Sequence, residues 1–143
     1  MELYRLIQFV EKHGNVGGTL IMFQPGDRSD SLPFPIRKVL YITDIRSGDV
    51  RGGHAHHVTE EVLVCLRGGC TVELDDGRGH CASVRLERRD VGLYLPPRVW
   101  RVVRNFAPGT DLLALASMEY DERDYIRSRS EFERSLPGQS GPS

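Results

Sequence analysis

The stretch Arg51-Gly52-Gly53-His54-Ala55-His56-His57 holds three of the chain's five histidines. In an extended strand successive side chains alternate, so His54 and His56 share one face while Ala55 and His57 share the other. Two imidazoles side by side suit metal ligation, proton transfer near neutral pH, or both. A carboxylate follows at Glu60 or Glu61, and with the histidines it could complete a facial triad around a metal. Farther along, Arg101 shares its strand face with Val99 and Val103. If those valines point inward, Arg101 is a buried cation and needs an anionic partner or ligand. A guanidinium stays protonated, cannot ligate a cation and repels a metal placed beside it. A metal-free pocket with two histidines and an arginine therefore fits the residues better than a metal centre. Such a pocket suits an anionic ligand or a developing oxyanion.

The elements that must position these groups are short strands. The pattern predicts strands over Leu3–Val10, Gly18–Gln24, Lys38–Ile45, Val58–Leu66, Cys70–Leu74, Cys81–Glu87, Val91–Leu95, Val99–Phe106 and Asp111–Ser117. Turn signals separate them, among them Gly68-Gly69, Asp75-Asp76-Gly77, Pro96-Pro97 and Pro108-Gly109. Glu11–Gly17 reads as a turn and Pro25–Pro35 as a loop. Many short strands at regular spacing predict an all-β sandwich or barrel. The exception is Asp121–Leu136, where Tyr125, Ile126, Phe132 and Leu136 among charges predict a short helix or irregular segment docked on the barrel. One domain over residues 1–136 and a disordered tail over 137–143 complete the expected organisation.

Gly48, His54-Ala55-His56, Glu60 or Glu61, and Gly68 follow one another with the spacing of the first cupin motif, which the chain resembles here. Pro96 and Asn105 match the second motif, whereas Arg98 stands in place of its glycine and Arg101 in place of its histidine. The resemblance implies a cupin jelly roll, a double-stranded β-helix, with the site in the barrel mouth. Three longer stretches, RGGHAHHVTEEVLVCLRGGCTVELDDG, VGLYLPPRVW and LLALASMEYDERDYIRSRSEFE, are similar to the nucleotide-sugar 3,4-ketoisomerases. These are metal-independent cupins, typically dimers, that act on dTDP-4-keto-6-deoxyglucose. The family's early Arg-Gly-Ser/Thr-Leu run reads Gly17-Gly18-Thr19-Leu20 here, so its arginine is absent.

The resemblance implies an isomerase that moves a ketone from C4 to C3 of a dTDP-linked sugar through an enediol, with no cofactor. His56 is then the base at carbon and His54 the shuttle between oxygens, an order not distinguished from its reverse. Tyr41, if it lies on an interior face, can donate to a sugar oxygen. Arg51 can hold the pyrophosphate by a bidentate contact. Arg101 faces the ligand, and Glu60, favoured over Glu61, orients a histidine. A metal-dependent oxygenase, a nucleotide-sugar epimerase and a non-catalytic sugar-binding cupin are the alternatives.

Composition narrows the classes. With 143 residues and a net charge of -1, the chain lacks the basic surplus expected of a nucleic-acid or polybasic membrane partner. No apolar run approaches the roughly 18 residues of a membrane span. Three cysteines at no zinc spacing predict reduced thiols in a cytoplasm, with Cys65 and Cys70 as core residues.

Overall fold

The computed structural model describes residues 2–138. Strands are β1 (Arg5–Gln8), β2 (Glu11–His13), β3 (Thr19–Ile21), β4 (Lys38–Ile42), β5 (Arg51–His56), β6 (Glu61–Arg67), β7 (Cys70–Asp75), β8 (Cys81–Leu86), β9 (Val91–Leu95), β10 (Trp100–Arg104), β11 (Asp111–Ala116) and β12 (Tyr125–Ile126). One helix, α1 (Arg129–Ser135), follows them. Two five-stranded sheets, in the orders β1-β9-β6-β11-β4 and β12-β5-β10-β7-β8, make the jelly roll, and β2 and β3 form a separate hairpin. Pairing within these sheets is antiparallel throughout. This is the expected all-β class with a short C-terminal helix.

Three apolar clusters hold the layers. Leu63, Cys65, Val72, Leu74, Leu93, Val103 and Leu112 fill the space between the sheets. β7 alternates buried and half-buried residues, the period of a strand with one face in the core. β6 is buried on both faces, which explains its unbroken run Val62–Cys65. Its outward residues Val62 and Val64 pack with Ile7, Phe9, Leu32 and Phe34. The Pro25–Pro35 segment is thus a cover for the first sheet.

The third cluster joins Ala55, Ile126, Phe132 and Leu136, with Trp100 packed against it. It docks α1 on the outer face of the second sheet. The Ser128 hydroxyl accepts from the Glu131 amide at 3.2 Å, capping the helix start. Ser128-Arg129-Ser130-Glu131 before Phe132 is the sequence form of a capping box.

Several boundaries differ from expectation. Asp121–Leu136, expected as a short helix or irregular segment, holds a turn of 3-10 helix over Glu122–Asp124, then β12, then the short helix α1. Glu11–His13, expected in a turn, pairs with Thr19–Ile21. The strand expected from Val58 starts at Glu61. Gln139–Ser143, most of the expected tail, lies outside the described residues.

Candidate active site

The histidine strand carries a bulge that aims it. Arg101 pairs with His54, but its neighbour Val102 pairs with Gly52, so Gly53 is the extra residue. Gly52 and Gly53 have φ of 84° and 66°, the left-handed region open to glycine at little cost. A Cβ on Gly52 would also stand 2.9 Å from the Arg101 carbonyl oxygen. Beyond the bulge the alternation resumes. Ala55 is fully buried against α1, while His54 and His56 turn to the interior with ring centroids 5.0 Å apart and planes at 87°.

His54 lines a small cavity of about 150 Å³ together with Leu40, Ile42, Arg51, Arg101 and Tyr125 among others, and His56 lies directly behind the His54 and Tyr125 rings. Burial first, and then the Arg101 guanidinium, lower the pKa of His54 to about 4. The same two causes, with His54 added, lower that of His56 to about 3. Both imidazoles are neutral at pH 7, the form that accepts a proton.

His56 is 1% exposed, yet among the described residues neither of its ring nitrogens has a partner in hydrogen-bonding geometry. Its Nδ1 lies 3.3 Å from Asp124 Oδ2, close enough for an ion pair but misaligned for a hydrogen bond. Burial opposes charge on Asp124. The Thr59 hydroxyl, the Val58 amide and His56 nevertheless hold its pKa below the usual carboxylate value. A buried ring nitrogen without a partner is costly in a folded protein, and such atoms concentrate where a ligand supplies the missing contact.

Arg101 faces inward as its valine neighbours predict, and it is 1% exposed. Its Nη1 donates to Glu61 Oε1 at 3.0 Å and its Nη2 to the Val99 carbonyl at 3.1 Å. The required anionic partner is therefore Glu61. Burial lowers the Arg101 pKa, and Glu61 opposes that shift. Arg51 stands exposed at the cavity rim.

Two expected positions are corrected. Glu60 does not reach a histidine; it accepts from the Tyr94 hydroxyl at 2.6 Å. With Val62 facing the outer cluster, the alternate residues Glu61 and Leu63 face the cavity, so the inward carboxylate is Glu61. Tyr41 is 60% exposed, and its hydroxyl lies 3.4 Å from Asp111 Oδ2. Leu40 and Ile42 line the cavity, so Tyr41 between them points away from it.

The residues that sequence reasoning missed come from the C-terminal segment and from β4. Tyr125 pairs with His56 across β12 and β5, its ring 4.5 Å from that of His56 and 5.3 Å from that of His54. Lys38 Nζ donates to the Tyr125 hydroxyl at 3.4 Å. The aromatic residues of the C-terminal segment were the available signal. Among the described residues no three His, Cys, Asp or Glu side chains are grouped to hold a metal ion.

Three comparisons bear on this arrangement. A family model described as "FdtA: WxcM-like, C-terminal" matches residues 2–136. The TDP-4-oxo-6-deoxy-alpha-D-glucose-3,4-oxoisomerase of Aneurinibacillus thermoaerophilus is 42% identical over 108 residues, which cover 76% of this chain and 77% of that protein. A 3,4-ketoisomerase from Helicobacter canadensis is 39% identical with a TM-score of 0.84, covering 92% of this chain and 95% of its own. A mutant of the 3,4-ketoisomerase QdtA from Thermoanaerobacterium thermosaccharolyticum, in complex with TDP-4-keto-6-deoxyglucose, is 33% identical with a TM-score of 0.85, covering 94% of each chain. With a matched family model spanning nearly its whole described length, and relatives of the same fold at these identities, the chain belongs to the FdtA, WxcM-like C-terminal family.

Proposed function

We propose that this protein is a 3,4-ketoisomerase of a dTDP-linked 4-keto-6-deoxyhexose, serving deoxysugar or deoxyaminosugar synthesis. The observation that carries the reading is the pair of neutral imidazoles with ring centroids 5.0 Å apart, one of which, His54, lines an interior cavity. The names of its relatives supply the substrate class.

The reaction needs no net oxidant. The C3 proton is acidic because it neighbours the C4 carbonyl. A neutral imidazole takes it, the C3–H electrons form the C3–C4 double bond, and the carbonyl π electrons pass to the C4 oxygen. The C3 hydroxyl proton is relayed to the C4 oxygen, the C3 oxygen electrons form the new carbonyl, and the enediol double-bond electrons take up a proton at C4, leaving a ketone at C3 and a hydroxyl at C4. His56 is assigned to carbon and His54 to the oxygens. The unpartnered nitrogens of His56 suit a group that waits for a substrate atom. Arg51 at the rim is assigned to the pyrophosphate. Arg101 holds its cation against the cavity with Glu61 behind it. Roles for Tyr41 and Glu60 at the sugar would require them to leave their present contacts, and neither is assigned one.

We further infer a single domain over 1–136, activity without a metal or other cofactor, a cytoplasmic location and a homodimer. Val39 and Tyr41 on the edge strand β4, and Leu20 on the β2–β3 hairpin, are exposed apolar groups suited to a second copy. Size-exclusion chromatography with light scattering tests the dimer, which a monomeric mass would exclude. Proton NMR of the metal-stripped protein with dTDP-4-keto-6-deoxyglucose in deuterated water tests the reaction. The expected result is loss of the C3 proton signal with growth of a 3-keto species. Exchange without a 3-keto product would indicate an epimerase, and no exchange would favour a binding protein or a metal enzyme.

A further inference from the structure

The proposed reaction places negative charge on the C4 oxygen of the enediolate, and a donor must meet it. Arg101 is already engaged through both terminal nitrogens by Glu61 and the Val99 carbonyl, which leaves only its buried Nε without a partner among the described residues. Arg127 lies 4.2 Å from the Tyr125 ring centroid, but its guanidinium is engaged by Glu122. Lys38 differs. It precedes Leu40 and Ile42 on the cavity-facing side of β4, and its one polar side-chain partner among the described residues is the Tyr125 hydroxyl. Its ammonium also stands 5.4 Å from the Tyr125 ring centroid and 5.5 Å from that of Tyr120.

A phenol oxygen has one proton to give and lone pairs to receive. When Lys38 donates to that oxygen, the phenol proton is left to point elsewhere. Tyr125 lines the cavity beside both histidines, so the open direction is toward that cavity.

Building on the ketoisomerase reading, we propose that Tyr125 donates its hydroxyl hydrogen to the C4 oxygen as the enediolate forms, and that Lys38 is the positioning residue that orients this phenol. Tyr125 binds the oxygen as charge develops and releases it as the ketone forms at C3. No bond to Tyr125 is made or broken beyond that hydrogen bond, and Lys38 keeps its proton throughout.

The test is steady-state turnover of dTDP-4-keto-6-deoxyglucose by wild type, Tyr125→Phe, Lys38→Met, Lys38→Arg and the double variant Tyr125→Phe/Lys38→Met, with TDP binding by calorimetry. Tyr125→Phe is expected to lower kcat about 10²-fold, the usual loss for one oxyanion donor, with TDP affinity unchanged. Lys38→Met should lower kcat about tenfold at nearly constant KM. Lys38→Arg should restore part of that loss, and Lys38→Met should cost nothing further once the phenol is gone. Wild-type kcat in Tyr125→Phe overturns the proposal. So do multiplying losses in the double variant, or a Lys38→Met defect confined to KM and TDP affinity, which would make Lys38 a phosphate contact. A wild-type enzyme that fails to turn over this substrate overturns the ketoisomerase reading and this inference with it. Wild-type turnover with an unimpaired Tyr125→Phe overturns this inference alone.

Discussion

The two faces of β5 and β10 are built from alternating residues of the same strands, yet they obey opposite rules. On the outer face, Ala55 and Trp100 meet Ile126, Phe132 and Leu136, with Trp100 and Phe132 ring centroids 5.6 Å apart. On the inner face, His54 and Arg101 line a cavity with His56 beside them, and three of their nitrogen atoms are buried without a hydrogen-bond partner among the described residues. The outer face contributes stability through apolar burial. The inner face holds polar groups at a cost and keeps them in place because the outer face fixes the strands.

That division can be tested from both sides. The largest effect is expected on the inner face. His54→Asn and His56→Asn should each reduce turnover by about 10²–10⁴-fold, the range for losing a general acid–base group, while TDP still binds. Full activity in either variant removes that histidine from the mechanism. The outer face should answer in stability instead. Phe132→Ala is expected to cost about 3–5 kcal/mol by chemical denaturation, with kcat per folded molecule little changed. If kcat fell as far as in the histidine variants, the two faces would not be separable.

Much of this layout was legible in the chain. The HAH spacing placed His54 and His56 together because strand periodicity alone dictates it, and the valines flanking Arg101 placed it inward. The resemblance favours Glu60 over Glu61 and the inward residue is Glu61, since the choice depends on where β6 starts and on the cover that Leu32 and Phe34 lay over its outer face. Tyr41 has the alternation of an inward residue if Val39 faces the core, but Val39 is 56% exposed and the parity is reversed. Tyr125 escaped because two residues of strand are too short to leave a periodic signal.

Acid titration gives a smaller effect that also separates the faces. Burial and Arg101 hold His54 near pKa about 4 and His56 near about 3, against 6.5 for a free histidine. The acid limb of kcat/KM should therefore fall below about pH 5 rather than near 6.5. The unfolded chain binds more protons than the folded one below 6.5, so stability is fully present above that pH. It is lost as pH falls toward the folded values of about 4 and about 3. A rate profile breaking at 6.5, measured alongside denaturation midpoints, would show that these rings titrate as if in water.

The smallest expected effect lies at the edge of the two faces. Arg98 has φ of 64° at the position where the second cupin motif has glycine, and its amide donates to the His56 carbonyl at 2.8 Å. Arg98→Gly removes the left-handed penalty and is expected to add about 1 kcal/mol of stability or slightly less, read as a raised melting temperature. A lowered melting temperature would mean that the arginine side chain outweighs the strain of its backbone.

The single extra residue at Gly53 has a consequence for how this strand would take up a change of length. It acts as a phase slip between two stretches of one strand. Arg51 keeps one register with β10, and His54 onward keeps another, locked by Ala55 against the helix side. An insertion in the Ser47–Val50 turn, ahead of the slip, is expected to leave the pairing of His54 with Arg101 in place. Arg51 and the two histidines thus sit on stretches of one strand whose registers are set separately.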